Sequence, residues 1–382
     1  MARQNVGNPK FYIDLLSYYA HSGIVKGVGV HSSEGSHLVG GEAHFPELLG
    51  LNPSHFLDTT LTYDPSLTFR VELTDGVYFP QGASDKFFFG FLGHNFNQIN
   101  IQPPEVNTYS YDGEPNAHIA PDSTDITYSN LCNLYSEDAI EYNGWSLAEF
   151  SGMGYETHTY VIDFDLETAI SADKRTILGS LCFGSVFQMP HSPDLSLTVS
   201  REFDGIKYQT SKGGSTLSQV HYSSASNWAG HPAWDLSTSN TTTYINNNFR
   251  EPRQPNKGRR TWNLKFSYID SDNLFPITEG LNRANPTDSS TNPDAGYDSS
   301  NFLPAGHDLA GDFDYGYQRD SSFISRFLHY TIGGALTFIF QPDGNNNSPD
   351  QWALCKLDQD SISFKQVAHN VYDVSLKIME VW

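Results

Sequence analysis

Cysteine, charge and basic residues are all scarce in this sequence, and each shortage removes a class of protein. The three cysteines, Cys132, Cys182 and Cys355, are odd in number and widely spaced, which gives neither a disulfide framework nor a zinc motif. Cys182 and Cys355 sit in apolar, strand-like runs, where buried free thiols are expected. Charged residues make up 17% of the chain, and 22 basic residues against 44 acidic ones leave a formal charge of −22. Phosphate binding needs clustered Lys and Arg, so no nucleic acid is expected as a partner. No stretch reaches 18 apolar residues, and Met1-Ala2-Arg3-Gln4-Asn5 lacks the apolar core of a leader. The expectation is a chain made in the cytoplasm, with no membrane insertion.

Catalytic signatures are missing as well. The 14 histidines are scattered, and there is no H-E-x-x-H, no G-x-S-x-G and no phosphate-loop or dinucleotide fingerprint. Gly27-Val28-Gly29 and Lys212-Gly213-Gly214-Ser215 are glycine-rich but lack the strand–loop–helix context that binds phosphate. Carboxylates pair at i and i+2 in Asp163/Asp165, Asp270/Asp272, Asp312/Asp314 and Asp358/Asp360. None fits a calcium loop, and 44 acids make chance pairs common. No catalytic residue, no metal ligand and no cofactor is therefore expected: the chain reads as a non-enzyme. Its acidity reads as a self-repelling surface that waits for a defined partner, against the alternative of a cation site or a lumen lining.

Aromatics are what the sequence has in abundance, at 14% with 21 Tyr and 25 Phe. Rings favour pleated, half-buried surfaces, and period-2 alternation recurs along the chain. Apolar residues occupy every other position in Leu67–Leu73, Tyr160–Leu166, Leu195–Val199, Trp262–Tyr268 and Tyr372–Ile378. Each pattern predicts a strand with one face on a core. The run Phe87-Phe88-Phe89-Gly90-Phe91-Leu92 predicts a strand buried on both faces. His94 and Asn95 follow it after Gly93, either as a ligand or carbohydrate contact or as a turn bonding its own backbone. Residues 10–20 fit a short helix or a strand running into a turn. Residues 320–330 fit a helix capped by Asp320, with Phe323, Phe327 and Leu328 on one side and Gly333-Gly334 ending it.

At 382 residues the chain is long for one sandwich and suits two domains. The segment 188–196, with Pro190 and Pro193, is the expected boundary, because X-Pro steps force extended connections. Residues 104–131 and 284–320 are too poor in apolar residues to build core and read as long surface excursions, and 341–350 reads as a further contact loop. Arg250–Arg260 is the one basic cluster, just ahead of Trp262. Arg259, Arg260 and Trp262 are thus candidates for docking against a negative neighbour, against the alternative of an ordinary charged turn. The final strand pattern runs to Trp382, which suits either a core or an interface anchor.

Several segments carry a resemblance. They are residues 178–215 (with Leu178–Gly184, Met189–Leu195, Arg201–Gly205 and Lys212-Gly213-Gly214-Ser215), residues 258–275 (with Gly258–Tyr268 and Leu274-Phe275), and residues 332–382. With Pro9–Asp14 and Leu92-Gly93-His94-Asn95 they cover about a third of the chain. In these segments the sequence resembles virion structural proteins of marine tailed phages, of the cyanophage and pelagiphage kind. The Leu-Gly-His-Asn strand with the Gly184 strand is similar to galactose-binding-like jelly-roll domains. The resemblance implies an all-β fold of two antiparallel, jelly-roll-like β-sandwich domains with long loops, at 1–192 and 193–382. It implies a tail or baseplate subunit acting through symmetric contacts with copies of itself and other virion proteins. The alternative is a capsid-decoration or tail-fibre adhesin that binds host surface glycan through His94 and Asn95. The family supplies no catalytic residues.

Overall fold

The protein is described by a computed structural model that covers residues 5–32, 49–51, 57–59, 66–73, 86–92, 105–111, 126–133, 139–142, 145–151, 159–165, 176–203, 206–220, 259–276, 321–347 and 351–381. These residues form twenty strands, numbered β1 to β20 in chain order, and little helix. Eleven strands make one sheet. Its order is β13 (Thr198–Glu202), β16 (Arg259–Asp270), β20 (Val371–Glu380), β18 (Ala353–Leu357), β17 (Phe338–Gln341), β1 (Lys10–Asp14), β12 (Ser180–Gln188), β5 (Lys86–Leu92), β9 (Trp145–Ser151) and β8 (Ala139–Tyr142). The eleventh strand, β19 (Phe364–Ala368), pairs with β20. A five-stranded sheet runs β2 (Val25–Ser32), β4 (Ser66–Leu73), β10 (Thr159–Asp165), β6 (Glu105–Tyr111) and β7 (Ile126–Asn133). Two further pairs are β3 (Leu57–Thr59) with β11 (Thr176–Leu178) and β14 (Ile206–Thr210) with β15 (Thr216–Val220). Every described pairing is antiparallel, so the fold is all-β.

The centre of the large sheet is buried on both faces, and β1 shows why. Its Lys-Phe-Tyr-Ile-Asp sequence sends Phe11 and Ile13 to one side and Tyr12 to the other, and all three are buried. On the first side Phe11 meets Phe327, Phe338 and Phe340 at ring-centroid distances of 4.7, 5.8 and 5.1 Å. On the second, Tyr12 packs edge-on against Phe88 at 5.3 Å and beside Trp352 at 5.1 Å. The phenylalanine run of β5 divides the same way: Phe87 and Phe89 join Phe11, whereas Phe88 and Leu92 join Tyr12. The expectation of a strand with two buried faces holds there. Gly184 makes the β1–β12 approach possible, since a Cβ on it would lie 1.7 Å from the Ile13 carbonyl oxygen.

The first side is roofed by two short helices. Immediately after β1, helix α1 (Leu15–His21) starts at Asp14, whose Oδ2 accepts from the Ser17 N–H at 3.2 Å. It buries Leu15, Leu16 and Tyr19. Residues 10–20 are thus a strand and then a helix. The second is a π-helix (Ile324–His329), flanked by buried Phe323 and Tyr330. It ends where Thr331 Oγ1 donates to the Phe327 carbonyl at 2.6 Å and Gly333 and Gly334 take φ of 66° and 87°. The expected Asp320 cap lies outside the described residues.

The large sheet crosses 192/193, because β1 hydrogen-bonds with β12 on one side and β17 on the other. The Pro-rich segment is stitched to it: the Met189 N–H reaches the Pro9 carbonyl at 2.9 Å and the Asp194 N–H the Lys265 carbonyl at 2.8 Å. The 104–131 excursion is in its ends a hairpin, β6 paired to β7. The 341–347 part of the next loop is tied to its own chain, with Asp343 Oδ1 accepting from the Gly7 N–H at 2.7 Å and Gln341 donating to Asn346 and Asn347. Residues 284–320 lie outside the described residues.

Candidate interaction surface

Two polar clusters inside the large sheet have a structural role. On the Tyr12 side, the Tyr12 hydroxyl donates to Glu149 Oε1 at 2.6 Å, and Lys10 Nζ meets the same oxygen at 2.6 Å. Burial and the nearby Glu149 charge hold the Tyr12 hydroxyl well above its ordinary pKa, so it stays a neutral donor. At the other end Arg260 donates through Nε and its terminal nitrogen to both oxygens of Glu380, at 2.9 and 2.8 Å, and to the Trp352 carbonyl at 2.8 Å. Its guanidinium also lies 5.2 Å from the centroid of Trp262. Arg260 and Trp262 are interior residues, with Trp262 packed on Phe340 at 5.4 Å. Arg259, half-buried, starts the same strand. These residues close the end of β16 against β20 and β18 within one chain. His94, Asn95 and Trp382 lie outside the described residues.

Among the described residues Asp14 is the most perturbed carboxylic acid. Complete burial pushes its carboxyl up from 3.8 to about 6, against hydrogen bonds from Ser17, Phe183 and Leu16 that pull it down. It joins β1, α1 and β12, because Oδ1 accepts from the Phe183 N–H at 3.2 Å while Oδ2 caps α1. Cys182 and Cys355 are buried free thiols, as expected. Burial first, and then Asp14 or Glu380, raises their pKa values, so neither is a ready nucleophile. Of the carboxylate pairs, Asp358 forms an ion pair with Lys377, and Asp270 and Asp272 flank the start of a helical turn, α2 (Ser271–Leu274). Among the described residues no group of three or more His, Cys, Asp or Glu is arranged to hold a metal ion. Nor is any described helix long and apolar enough to cross a membrane.

What stands out is the β13 edge of the large sheet. The described side chains from Leu195 to Leu217 leave the core almost entirely. All five residues of β13 are exposed although the strand is paired to β16. Leu195, Val199 and Phe203 are each more than half exposed. The alternation at 195–199 therefore does not face a core; only Leu197 packs partly against it. Beyond β13 comes the β14–β15 hairpin, whose described side chains from Lys207 to Ser218 are all exposed. Tyr208 is 70% and Leu217 60% exposed. Tyr208 sits opposite Ser218, and Leu217 opposite Gln209, so the two apolar residues lie on different faces of the ribbon.

The hairpin is locally well specified. The Gly214 N–H reaches the Ser211 carbonyl at 2.9 Å, the Ser211 N–H the Ser215 carbonyl at 2.8 Å, and Ser211 Oγ accepts from the Ser215 N–H at 3.1 Å. Gly214 takes φ of 84°, the left-handed step that closes a three-residue hairpin loop. Lys212-Gly213-Gly214-Ser215 is thus a turn, as its lack of a phosphate-loop context required. A two-stranded ribbon alone is marginal in water, and this one has both faces exposed. It also carries Lys207 and Lys212 and no acid between 206 and 220, in a chain of net charge −22. Sequence reasoning passed over Tyr208 and Leu217. The available signal was two short strand-like runs around Lys-Gly-Gly-Ser that hold lysine but no carboxylate.

No protein-family model matches the chain, and no curated protein matches it.

Proposed function

We propose that this chain is a structural protein of a tailed-phage particle, a tail or baseplate subunit that works by contact with copies of itself and with other virion proteins. The observation that carries this reading is the exposed edge. Leu195, Val199, Phe203, Tyr208 and Leu217 form a run of large apolar side chains in water, on an arm that a core does not need. Exposed apolar side chains gathered on one short segment suit a contact site, and β13 is an edge strand of the sheet among the described residues. The segments that resemble marine-phage virion proteins supply β1, β12, β13, β16, β17, β18, β19 and β20, the strands from which this edge and its support are built. An assembly role agrees with the rigid, doubly buried sheet centre, since a subunit under mechanical load needs a body that does not shear.

Immunogold labelling of intact particles with antibody against this chain tests the reading. Gold at the tail or its tip is the expected result. Gold confined to the head would replace it with capsid decoration. Protein found only free in the lysate, with dissociated particles also unlabelled, would overturn it.

A further inference from the structure

Resting on the reading of the chain as an assembly subunit, we infer that the β14–β15 hairpin is a docking arm that binds the opposite end of β16 on a second copy of this chain, joining copies head to tail. Three observations carry this. The arm is apolar and positive, with exposed Tyr208 and Leu217 beside exposed Lys207 and Lys212. The remainder of the chain is strongly acidic, because the arm itself contributes two of its 22 bases and none of its 44 acids. And the far end of β16 presents the complementary chemistry.

At that far end the regular pairing of β16 with β20 slips between Phe266 and Ile269. The bulge holds Tyr268 at φ 64° and 54% exposed, with its N–H donating to Asp373 Oδ1 at 3.2 Å. The left-handed region costs a non-glycine residue about 1–2 kcal/mol, and an outlier of this kind on an exposed aromatic points to a contact. Asp270 and Asp272, both exposed, follow it directly. An exposed tyrosine with two exposed carboxylates within four residues lies at this end; the arm carries exposed Tyr208, with Lys207 on the face of Leu217 and Lys212 in the turn.

Geometry decides between folding back and reaching out. β13 pairs antiparallel with the start of β16, with Glu202 opposite Arg259, so the arm departs from the Arg259 end. Asp270 is eleven residues along the strand, roughly 35 Å away at ~3.3 Å per residue. In the structure Tyr208, Leu217 and Tyr268 are all more than half exposed, so the arm is not seated on the acidic end of its own β16, and the end it meets is that of another copy. Donor and acceptor patches differ, so the contact is heterologous, and repetition yields a ring or an open filament depending on the rotation.

Complementary charge reversal tests the pairing on the full chain, followed by sedimentation velocity across concentration up to about 100 µM with circular dichroism and melting curves to verify folding. K207E/K212E makes both ends acidic, and D270K/D272K makes both ends basic. Each variant alone is expected to associate at least about tenfold more weakly than the native chain, and an equimolar mixture is expected to recover association. Tyr208→Ser, which leaves charge intact, should weaken association as well. Association by the arm-reversed variant equal to that of the native chain would overturn the arm and leave the assembly reading standing. Loss in both variants without recovery on mixing would overturn the partner assigned to the arm. A native chain that stays monomeric throughout would overturn self-docking, whereas the virion reading is decided separately by the gold label.

Discussion

The middle of the large sheet and the arm at its edge are written in similar strand-forming sequence, yet they meet water in opposite ways. In β1 and β5 both faces are covered, one by α1 and the π-helix and the other by Trp352 and its neighbours. In β13–β15 the described side chains have almost no cover. The contrast teaches that period-2 alternation marks a strand, but not the presence of a second layer to receive its apolar face. Whether a layer is there depends on topology. β1 gains its cover because the chain turns straight into α1 and because residues over three hundred positions later pair beside it. Among the described residues the β14–β15 hairpin pairs only with itself.

The sharpest way to break the contrast is to empty the centre. Phe11 is wholly buried among Phe323, Phe327, Phe338 and Phe340, so Phe11→Ala should cost about 3–5 kcal/mol of unfolding free energy. Chemical denaturation of the purified chain reads this directly. A loss below ~1 kcal/mol would mean that the ring cluster repacks without a cavity and that the centre is no tighter than the edge.

Next in size is the pH dependence carried by Asp14. Its carboxyl titrates near 3.8 when unfolded and at about 6 in the fold, so between those values the folded chain holds a proton that the unfolded chain has released. Below pH 3.8 both states are protonated and the group has no differential effect. As pH rises from about 4 to 6, its contribution falls by roughly 3 kcal/mol and then levels. Asp14→Asn should flatten that part of the stability–pH profile, whatever it does to the absolute value. An unchanged slope would assign the acid-range dependence to other carboxylates.

Much of the centre was legible in the residues, and the reasons are local. Six apolar or glycine residues from Phe87 to Leu92 leave no polar face, so a doubly buried strand was the available reading. Trp262, Leu264 and Phe266 alternate inward as the pattern requires. The same pattern fails at Tyr268, because the bulge shifts register by one residue and Ile269 takes the inward place. Strand order was not legible: neighbours such as β1 and β17 are set by long-range pairing that no local signal encodes. Within 104–131 the Pro and acidic residues hid the strand signal of Tyr109, Tyr111 and Tyr128, which sit in the paired β6 and β7. For the site, Arg260 and Trp262 were read as surface from their position after a basic cluster, whereas Glu380, Trp352 and Phe340 draw them inward. The arm carried a weak signal, since exposure is a property of what is not packed on a strand.

The smallest expected effect is the one that makes the comparison sharpest. Tyr208→Ser and Leu217→Ser, separately and together, remove the hairpin's two large exposed apolar side chains. If the arm contributes nothing to the fold of its own chain, unfolding free energy should change by no more than about 0.5 kcal/mol, measured at a concentration where the chain is monomeric. Burial of these side chains within the same chain would instead give a loss of about 2 kcal/mol or more, and would move the arm from the edge into the core. The measurement therefore separates two causes of an apolar residue in a strand. Phe11 is apolar because its own chain covers it, and its removal destabilises the folded chain at any dilution. Tyr208 is apolar with no such cover, so its removal should be silent in the monomer and visible only where copies meet.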